Sequence, residues 1–306
     1  MHILIQRWFI IHPNKVYRVG DVTVTKIEEM RLNVAPPSFL YPDYDPLALE
    51  PNLHWRTPSN MDAETGNLIQ SIHAWLVQTK DHTILIDTGS GNDKERPANP
   101  IFHHLNTPFL RRLAAAGVRP EDVDYVLHTH LHVDHVGWNT VLVDGEWVPT
   151  FPNARHVFSR AEEDYYSIPA SHNDVNIPSF GVFEDSVAPI IAAGMADRVE
   201  NSGGDYLDNF TFRPSRGHSI GHMSIELNSK GERALFSGDV MHHPFQVVRP
   251  DWNSVFCEWL EDAKVSRRWV LEYGAENGSL LFTPHFAETS AGYVSRQGDS
   301  FSWRYE

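Results

Sequence analysis

Apolar positions recur along this chain in two rhythms, one of period two and one near the helical period of about 3.6, and their order predicts layers of strand and helix. Val16 to Glu29 alternates on either side of Gly20-Asp21, the pattern of a hairpin that opens a sheet. Ile72 to Gln78 and Thr83 to Asp87 read as paired strands joined by Lys80-Asp81-His82, and Asp124 to His128 as a short buried strand. Between them Thr107 is the expected N-cap of a helix, with Pro108 at its first position, Phe109, Leu110 and Leu113 as its apolar stripe and Gly117 as its stop. Val141 to Val148 predicts a hairpin across Asp144-Gly145, Arg155 to Phe158 a strand, and Arg160 to Ser167 a helix with an acidic face. Phe183 to Ala193 predicts a further helix, while Ile168 to Phe180 is irregular, with His172 and Asp174 as solvated loop residues. Phe210 to Arg213, Met223 to Leu227, Arg233 to Phe236 and Ser279 to Phe282 complete the strands. Glu258 to Tyr273 is an amphipathic outer helix that turns Trp259, Leu260, Ala263, Val270 and Leu271 to the core. This alternation is that of an α/β layered fold, and 306 residues with 41% hydrophobic content suffice for one large core over 16–306.

Two stretches break the rhythm. Residues 1–15 precede the first hairpin as an arm, whose Trp8-Phe9-Ile10-Ile11 run is too apolar to leave in water. Residues 31–66 carry Pro36, Pro37, Pro42, Pro46, Pro51 and Pro58 among Phe39, Tyr41, Tyr44 and Trp55, and are expected to be an irregular insertion. Long loops in compact domains serve as lids or interaction surfaces, so this one is expected over the substrate site or in a homodimer contact.

Composition removes several classes of function. A formal charge of −15 argues against a nucleic-acid partner, which requires basic patches to neutralise phosphate. Cys257 is the only cysteine, so neither an intrachain disulfide nor a thiolate metal cage can form, and it reads as a small buried hydrophobe. No segment has the length and apolarity of a membrane span and no small-residue cleavage site follows the apolar start, which leads to the expectation of a soluble, cytoplasmic protein with no membrane partner.

The chemistry concentrates just after the Asp124 to His128 strand, where His130, His132, Asp134 and His135 fall within six residues. Burying so many strongly hydrated groups together is costly unless a cation compensates them. Two histidines one residue apart in extended chain converge on one cation, and Asp134 and His135, beyond the turn, face a second. Nitrogen and carboxylate ligands without thiolate suit zinc, and also manganese, iron or cobalt.

His130-x-His132-x-Asp134-His135 resembles the signature of the metallo-β-lactamase fold hydrolases, and four more motifs follow that family's order. Leu85-Ile86-Asp87-Thr88-Gly89 resembles its strand-ending Asp-x-Gly, whose aspartate supports the site without binding metal. Gly217-His218-Ser219-Ile220-Gly221-His222 looks like its third-histidine loop, Ser237-Gly238-Asp239 like the strand end that supplies a bridging aspartate, and Thr283-Pro284-His285-Phe286 like its final histidine. The resemblance covers about residues 16 to 290. It implies a four-layer αββα sandwich and two divalent metal ions, zinc foremost. One is held by His130, His132 and His218, the other by Asp134, His135 and His285, with Asp239 on both. The implied chemistry is hydrolysis by a metal-bridging hydroxide, with Asp134 as proton shuttle and His222 and Asp87 as supporting partners.

The motif order and the early insertion look most like the quorum-quenching lactonase and methyl parathion hydrolase group. The implied substrate is therefore a small lactone or related carboxylic ester, an N-acyl-homoserine lactone among them, with aryl ester and phosphotriester hydrolysis as side reactions. Acyl-homoserine lactonases typically place a tyrosine three residues after the bridging aspartate; His242 stands there and is a candidate substrate-side catalytic group. Trp138, Trp55 and Phe245 are candidate walls of an apolar pocket. A glyoxalase-II-like thioesterase and an iron-dependent sulfur dioxygenase of the same fold are the alternatives, although diiron redox members tend to carry Glu where Asp134 stands.

Overall fold

The structure, a computed structural model, describes residues 15–49 and 59–306. Residues 1–14 of the expected arm, and Trp55 in the insertion, lie outside the described residues. Val16–Val19 (β1) and Val22–Ala35 (β2) form the expected opening hairpin, followed by Leu68–Gln78 (β3), Thr83–Ile86 (β4) and Tyr125–Leu127 (β5). A separate hairpin, Thr140–Val143 (β6) with Glu146–Pro149 (β7), precedes Arg155–Ser159 (β8) and Ala196–Val199 (β9). The first sheet has the order β1-β2-β3-β4-β5-β8-β9, antiparallel as far as β4 and parallel from β4 onward.

The second sheet takes its strands in chain order: Gly204–Tyr206 (β10), Phe210–Pro214 (β11), Met223–Ser229 (β12), Glu232–Phe236 (β13), Leu280–Phe282 (β14), Ala291–Gln297 (β15) and Ser300–Tyr305 (β16). Only β13 and β14 run parallel in it. The C-terminal pair β15–β16 was not foreshadowed by the sequence pattern.

Period-two alternation explains how the two sheets stack. Trp75 and Val77 of β3, Ile84 and Ile86 of β4 and Leu127 of β5 share one core with Ile225, Leu227, Ala234, Phe236 and Phe282 of the second sheet. The intervening residues Ala74, Leu76, Leu85 and Val126 face outward, where Phe109 and Leu113 of helix Phe109–Ala115 cover them. On the other side Leu235 and Leu281 face Val270 and Leu271 of the long helix Leu260–Asn277. Helix, sheet, sheet and helix therefore form four layers, as the resemblance implied. Numbering the helices along the chain, α1 is Pro37–Leu40, α2 Phe109–Ala115, α3 Arg160–Tyr166, α4 Ala188–Ala192, α5 Phe245–Val248 and α6 Leu260–Asn277. No helix among the described residues is long and apolar enough to cross a membrane.

Three local expectations are corrected. Irregular structure does not begin at Arg31: β2 continues to Ala35, because Leu32 and Ala35 still pair with Gln70 and Leu68 across register shifts, and only Pro36 and Pro37 break the ladder. Thr107 is not the cap of α2; Pro108 holds that position, and the Thr107 hydroxyl turns to Glu29 Oε1 at 3.0 Å and Asn92 Oδ1 at 3.2 Å. Leu260 is 52% exposed rather than core-facing, since the buried stripe of α6 runs through Ala263, Arg267, Val270, Leu271 and Gly274.

Candidate metal centre

The parallel strands β4 and β5 of one sheet and β13 and β14 of the other deliver their following residues to a single site. Asp87 follows β4, His130 to His135 follow β5, Asp239 follows β13 and His285 follows β14, while His218 comes from the turn between β11 and β12. Open α/β sheets bind ligands at this end of their strands, where loops can carry polar groups that the strands cannot. Two glycines permit the close approach. Gly217 has φ +123° and lies so near the first turn of α6 that a Cβ would stand 2.0 Å from the Ala263 nitrogen. Gly238, at φ +55°, would place a Cβ 2.4 Å from His222 Nε2.

One trio of nitrogens is formed by His130, His132 and His218: His132 Nδ1 lies 2.8 Å and His130 Nε2 3.2 Å from His218 Nε2. A second group is formed by Asp134, His135 and His285, with the Asp134 carboxylate 3.7 Å from the Nε2 atom of each histidine. Asp239 stands between them. Its Oδ1 lies 3.2 Å from His135 Nε2, its Oδ2 lies 3.3 Å from His218 Nε2 and 3.9 Å from His130 Nε2, and His285 Nε2 is 3.0 Å from both oxygens. His242 joins on the Oδ2 side, 3.3 Å away, with its ring stacked on His285 at 5.5 Å.

Hydrogen bonds behind the rings settle which nitrogen points inward. Asp87, in the left-handed backbone region at φ +56°, accepts the Thr129 amide at 2.8 Å, the Thr129 hydroxyl at 2.8 Å and His135 Nδ1–H at 2.9 Å. Because the Thr129 hydroxyl spends its one proton on Asp87, it accepts from His130 Nδ1–H at 3.0 Å. His285 Nδ1–H donates to the Ser71 carbonyl at 3.1 Å. In all three rings Nδ1 is engaged behind the ring and Nε2 is left facing the cluster, the orientation that metal-ligating histidines adopt. His222 is the contrast: its Nε2 accepts the Asp239 amide at 2.9 Å and its Nδ1 donates to Ser215 Oγ at 2.9 Å, so both nitrogens are used in holding Asp239 in place. His128, buried with Nε2 3.4 Å from His156 Nδ1, lies outside the cluster.

Charge in the site is unbalanced without a cation. Burial disfavours the charged form of every ring and pushes His130 and His218 well below the usual imidazole value and His132 to about 3. The carboxylates of Asp239, Asp134 and Asp87 overcome burial at His135 and raise it well above that value, and Asp239 and Asp134 raise His285. Burial would raise Asp239, but His285, His135 and His218 hold it well below the ordinary carboxylate range. Asp239 Oδ1, His135 Nε2 and both ring nitrogens of His242 are buried without a hydrogen-bond partner. Orphaned acceptors converging from two sides of one carboxylate fit divalent cations.

Two sequence-based pocket candidates belong elsewhere. Trp138 is buried in the core beneath α2, stacked on Phe109 at 5.4 Å with Nε1–H donating to Glu29 Oε1 at 2.6 Å, so it is no wall of the cluster. Phe245 packs in the core on the α6 side, stacked on Tyr44 at 6.3 Å. Proximity in sequence does not say which way a loop residue turns. Two aromatics lie beside the cluster instead: Tyr166, its ring 5.5 Å from His132, and half-buried Phe256, its ring 6.2 Å from His242, with exposed Phe39 6.5 Å from Phe256.

Sequence reading also missed Glu162, in the first turn of α3. Fully buried, it accepts the Leu131 amide at 3.0 Å, the Ser219 hydroxyl at 2.7 Å and the Gly221 amide at 2.6 Å, joining the His130 loop to the His218 loop. Burial pushes its carboxyl up to about 7 against those hydrogen bonds. In the sequence it is one acidic residue of an acidic helix, with nothing to mark it.

Comparison with known proteins agrees with this geometry. Residues 70–285 match the sequence profile of the Metallo-beta-lactamase superfamily. The chain is 31% identical over 106 residues to an N-acyl homoserine lactonase, AttM, of Azorhizobium caulinodans, a match covering 31% of this chain and 36% of the relative. It is 26% identical over 183 residues to a probable metallo-hydrolase of Mycobacterium tuberculosis, covering 56% and 57%. The matches thus span about a third to just over half the length of these curated relatives. Among solved structures, the hydrolase AbOPH of the beta lactamase superfamily superposes with a TM-score of 0.80 at 29% identity, covering 96% of this chain and 97% of that one. AidC, a dizinc quorum-quenching lactonase, superposes with a TM-score of 0.76 at 21% identity, covering 96% and 97%, a likeness of fold.

Proposed function

Because the chain belongs to the metallo-β-lactamase superfamily, we propose that it is a metal-dependent hydrolase with a dinuclear centre that opens a lactone or cleaves a related carboxylic ester. The observation that carries this reading is the position of Asp239, whose carboxylate lies between His135 and His285 on one side and His218 and His130 on the other, with His285 Nε2 3.0 Å from both of its oxygens. A carboxylate so placed could serve both groups of candidate ligands. His130, His132 and His218 would hold one and Asp134, His135 and His285 the other, with zinc the best match to four-coordinate nitrogen and oxygen donors. Such a pair supplies Lewis-acid polarisation of the ester carbonyl and ionises water near neutral pH.

The protein's own residues then divide the remaining work. Asp134 is half-buried, at the boundary between the second group and solvent, and is suited to take the proton released as water attacks and return it to the leaving oxygen. His242, with Nε2 3.3 Å from Asp239 Oδ2 and Nδ1 without a partner, stands beside the cluster next to Phe256. It is placed to hydrogen-bond a substrate oxygen while Phe256 and Phe39 receive an acyl or aryl group. No serine or cysteine nucleophile is required: Cys257 is buried, and burial raises its thiol to about 11. The lactonase names of relatives such as AttM support the ester class over a thioester.

The test combines metal analysis by plasma mass spectrometry with a proton-release screen of acyl lactones, aryl esters, thioesters and a phosphotriester. Two metals per chain and lactone turnover are expected, and Asp239→Ala should lose metal and turnover together. One iron per chain without hydrolysis of any ester would overturn the proposal.

A further inference from the structure

His132 presents its other nitrogen to the cluster. Its Nδ1 lies 2.8 Å from His218 Nε2, and its Nε2 points outward to the hydroxyl of Tyr166, the last residue of α3, at 2.7 Å. That hydroxyl has one proton, and 2.8 Å away lies Glu258 Oε1, which as a carboxylate oxygen accepts only. Tyr166 therefore donates to Glu258 and accepts from His132 Nε2–H. A neutral imidazole carries one ring proton, so placing it on Nε2 leaves the Nδ1 lone pair facing the cluster. Glu258 is itself held by the Tyr165 hydroxyl at 2.9 Å and the Asn173 side-chain amide at 3.2 Å, both on Oε2. Its backbone amide also donates to the His218 carbonyl at 3.2 Å. One residue is thus tied to two of the three histidines of the first trio.

We propose that Glu258 is a positioning residue that acts through Tyr166 to fix the tautomer and ring orientation of His132, so that Nδ1 is held ready for a divalent cation. The inference rests on the reading that His130, His132 and His218 hold a metal ion. Glu258 and Tyr166 do for His132 what Asp87 does directly for His135, with a phenol inserted between carboxylate and imidazole. Tyr165 shares the carboxylate but makes no hydrogen bond to a histidine of the trio, which makes it the internal control.

Zinc affinity is measured by competition with a chromophoric chelator on the metal-stripped full chain and on Tyr166→Phe, Glu258→Gln and Tyr165→Phe. Long-range ¹⁵N–¹H correlation spectra of ¹⁵N-histidine-labelled, metal-free protein report the His132 tautomer in parallel. Tyr166→Phe and Glu258→Gln are expected to weaken one of two zinc sites by about 10- to 100-fold and to shift His132 from a pure Nε2–H form to a mixture. Tyr165→Phe should leave His132 unchanged and its zinc affinity within about threefold of wild type, since it removes neither hydrogen bond of the relay. A purely packing role would leave the tautomer untouched in every variant. Unchanged zinc affinity together with an unchanged His132 spectrum in Tyr166→Phe would overturn the proposal. No zinc binding by the wild-type chain, together with the tautomer shift in Tyr166→Phe and Glu258→Gln, would instead sink the dinuclear reading and leave the orienting role of Glu258 standing.

Discussion

Asp239 and His242 show what a single residue can and cannot reveal before folding. The role of Asp239 was legible only through the likeness of Ser237-Gly238-Asp239 to a strand-end motif of the metallo-β-lactamase fold. The partners it faces, five histidine rings within 3.9 Å, come from four separate segments. His242 was legible only as a departure from a tyrosine, and the structure gathers it with His218 and Asp239, their nitrogen and oxygen atoms within 4.8 Å of one another. Replacing it by phenylalanine keeps the stacking on His285 and removes both nitrogens. The expected outcome is a fall of roughly 100-fold in kcat with both metals retained, the usual cost of deleting one donor to a developing oxyanion. A drop to one metal per chain, read by plasma mass spectrometry, would make His242 a ligand instead. Trp138 marks the opposite case. Four residues of sequence separate it from Asp134, yet it turns into the core to satisfy Glu29.

At the scale of elements, the sequence pattern of α3 shows a helix with an acidic face and does not say what that face does. Glu162 and Tyr166, one turn apart on the same face, reach the His130 loop, and Glu162 the His218 loop as well. Glu162 makes a testable pH signature. Its folded-state value is raised to about 7 from 4.5 by burial, so between those values the folded chain holds a proton that the unfolded chain has released. The stabilisation is complete below about pH 4.5 and is lost as pH rises towards 7, for a change on the order of 3 kcal/mol. Glu162→Gln cannot titrate and cannot accept the Leu131 amide on its nitrogen, so it should be less stable than wild type at pH 5 by about 1–3 kcal/mol. That penalty should shrink as pH approaches 7.5, which urea denaturation of the metal-stripped proteins measures. A penalty independent of pH would show that Glu162 stays ionised in the fold.

For the whole molecule, metal binding and folding should be linked, because the side chains that could hold an ion are gathered from both sheets only in the native chain. An ion present at about 100 times its dissociation constant adds roughly 2.7 kcal/mol of stability. Stripping it with a chelator is therefore expected to lower the melting temperature by about 4 °C per ion for a chain of this size, read by circular dichroism at one scan rate. An unchanged melting curve after complete metal removal would place the ions outside the folding equilibrium.

The sequence by itself determined the fold class, because period-two and helical patterning decide which face of each strand and helix leaves water. It also singled out the His130 to His135 loop, because so many strongly hydrated groups are costly to bury without a cation, while the family resemblance pointed to His218, Asp239 and His285, which the fold brings beside that loop. Local patterning could not determine how those side chains are supported. Asp87 to Thr129, Ser71 to His285, Glu162 to Leu131 and Ser219, and Glu258 through Tyr166 to His132 are bonds between residues 31 to 214 positions apart. The side chains named in those links are common residue types whose meaning depends on direction, and direction was decided only when β5 and β14 brought their loops together across the stacked sheets.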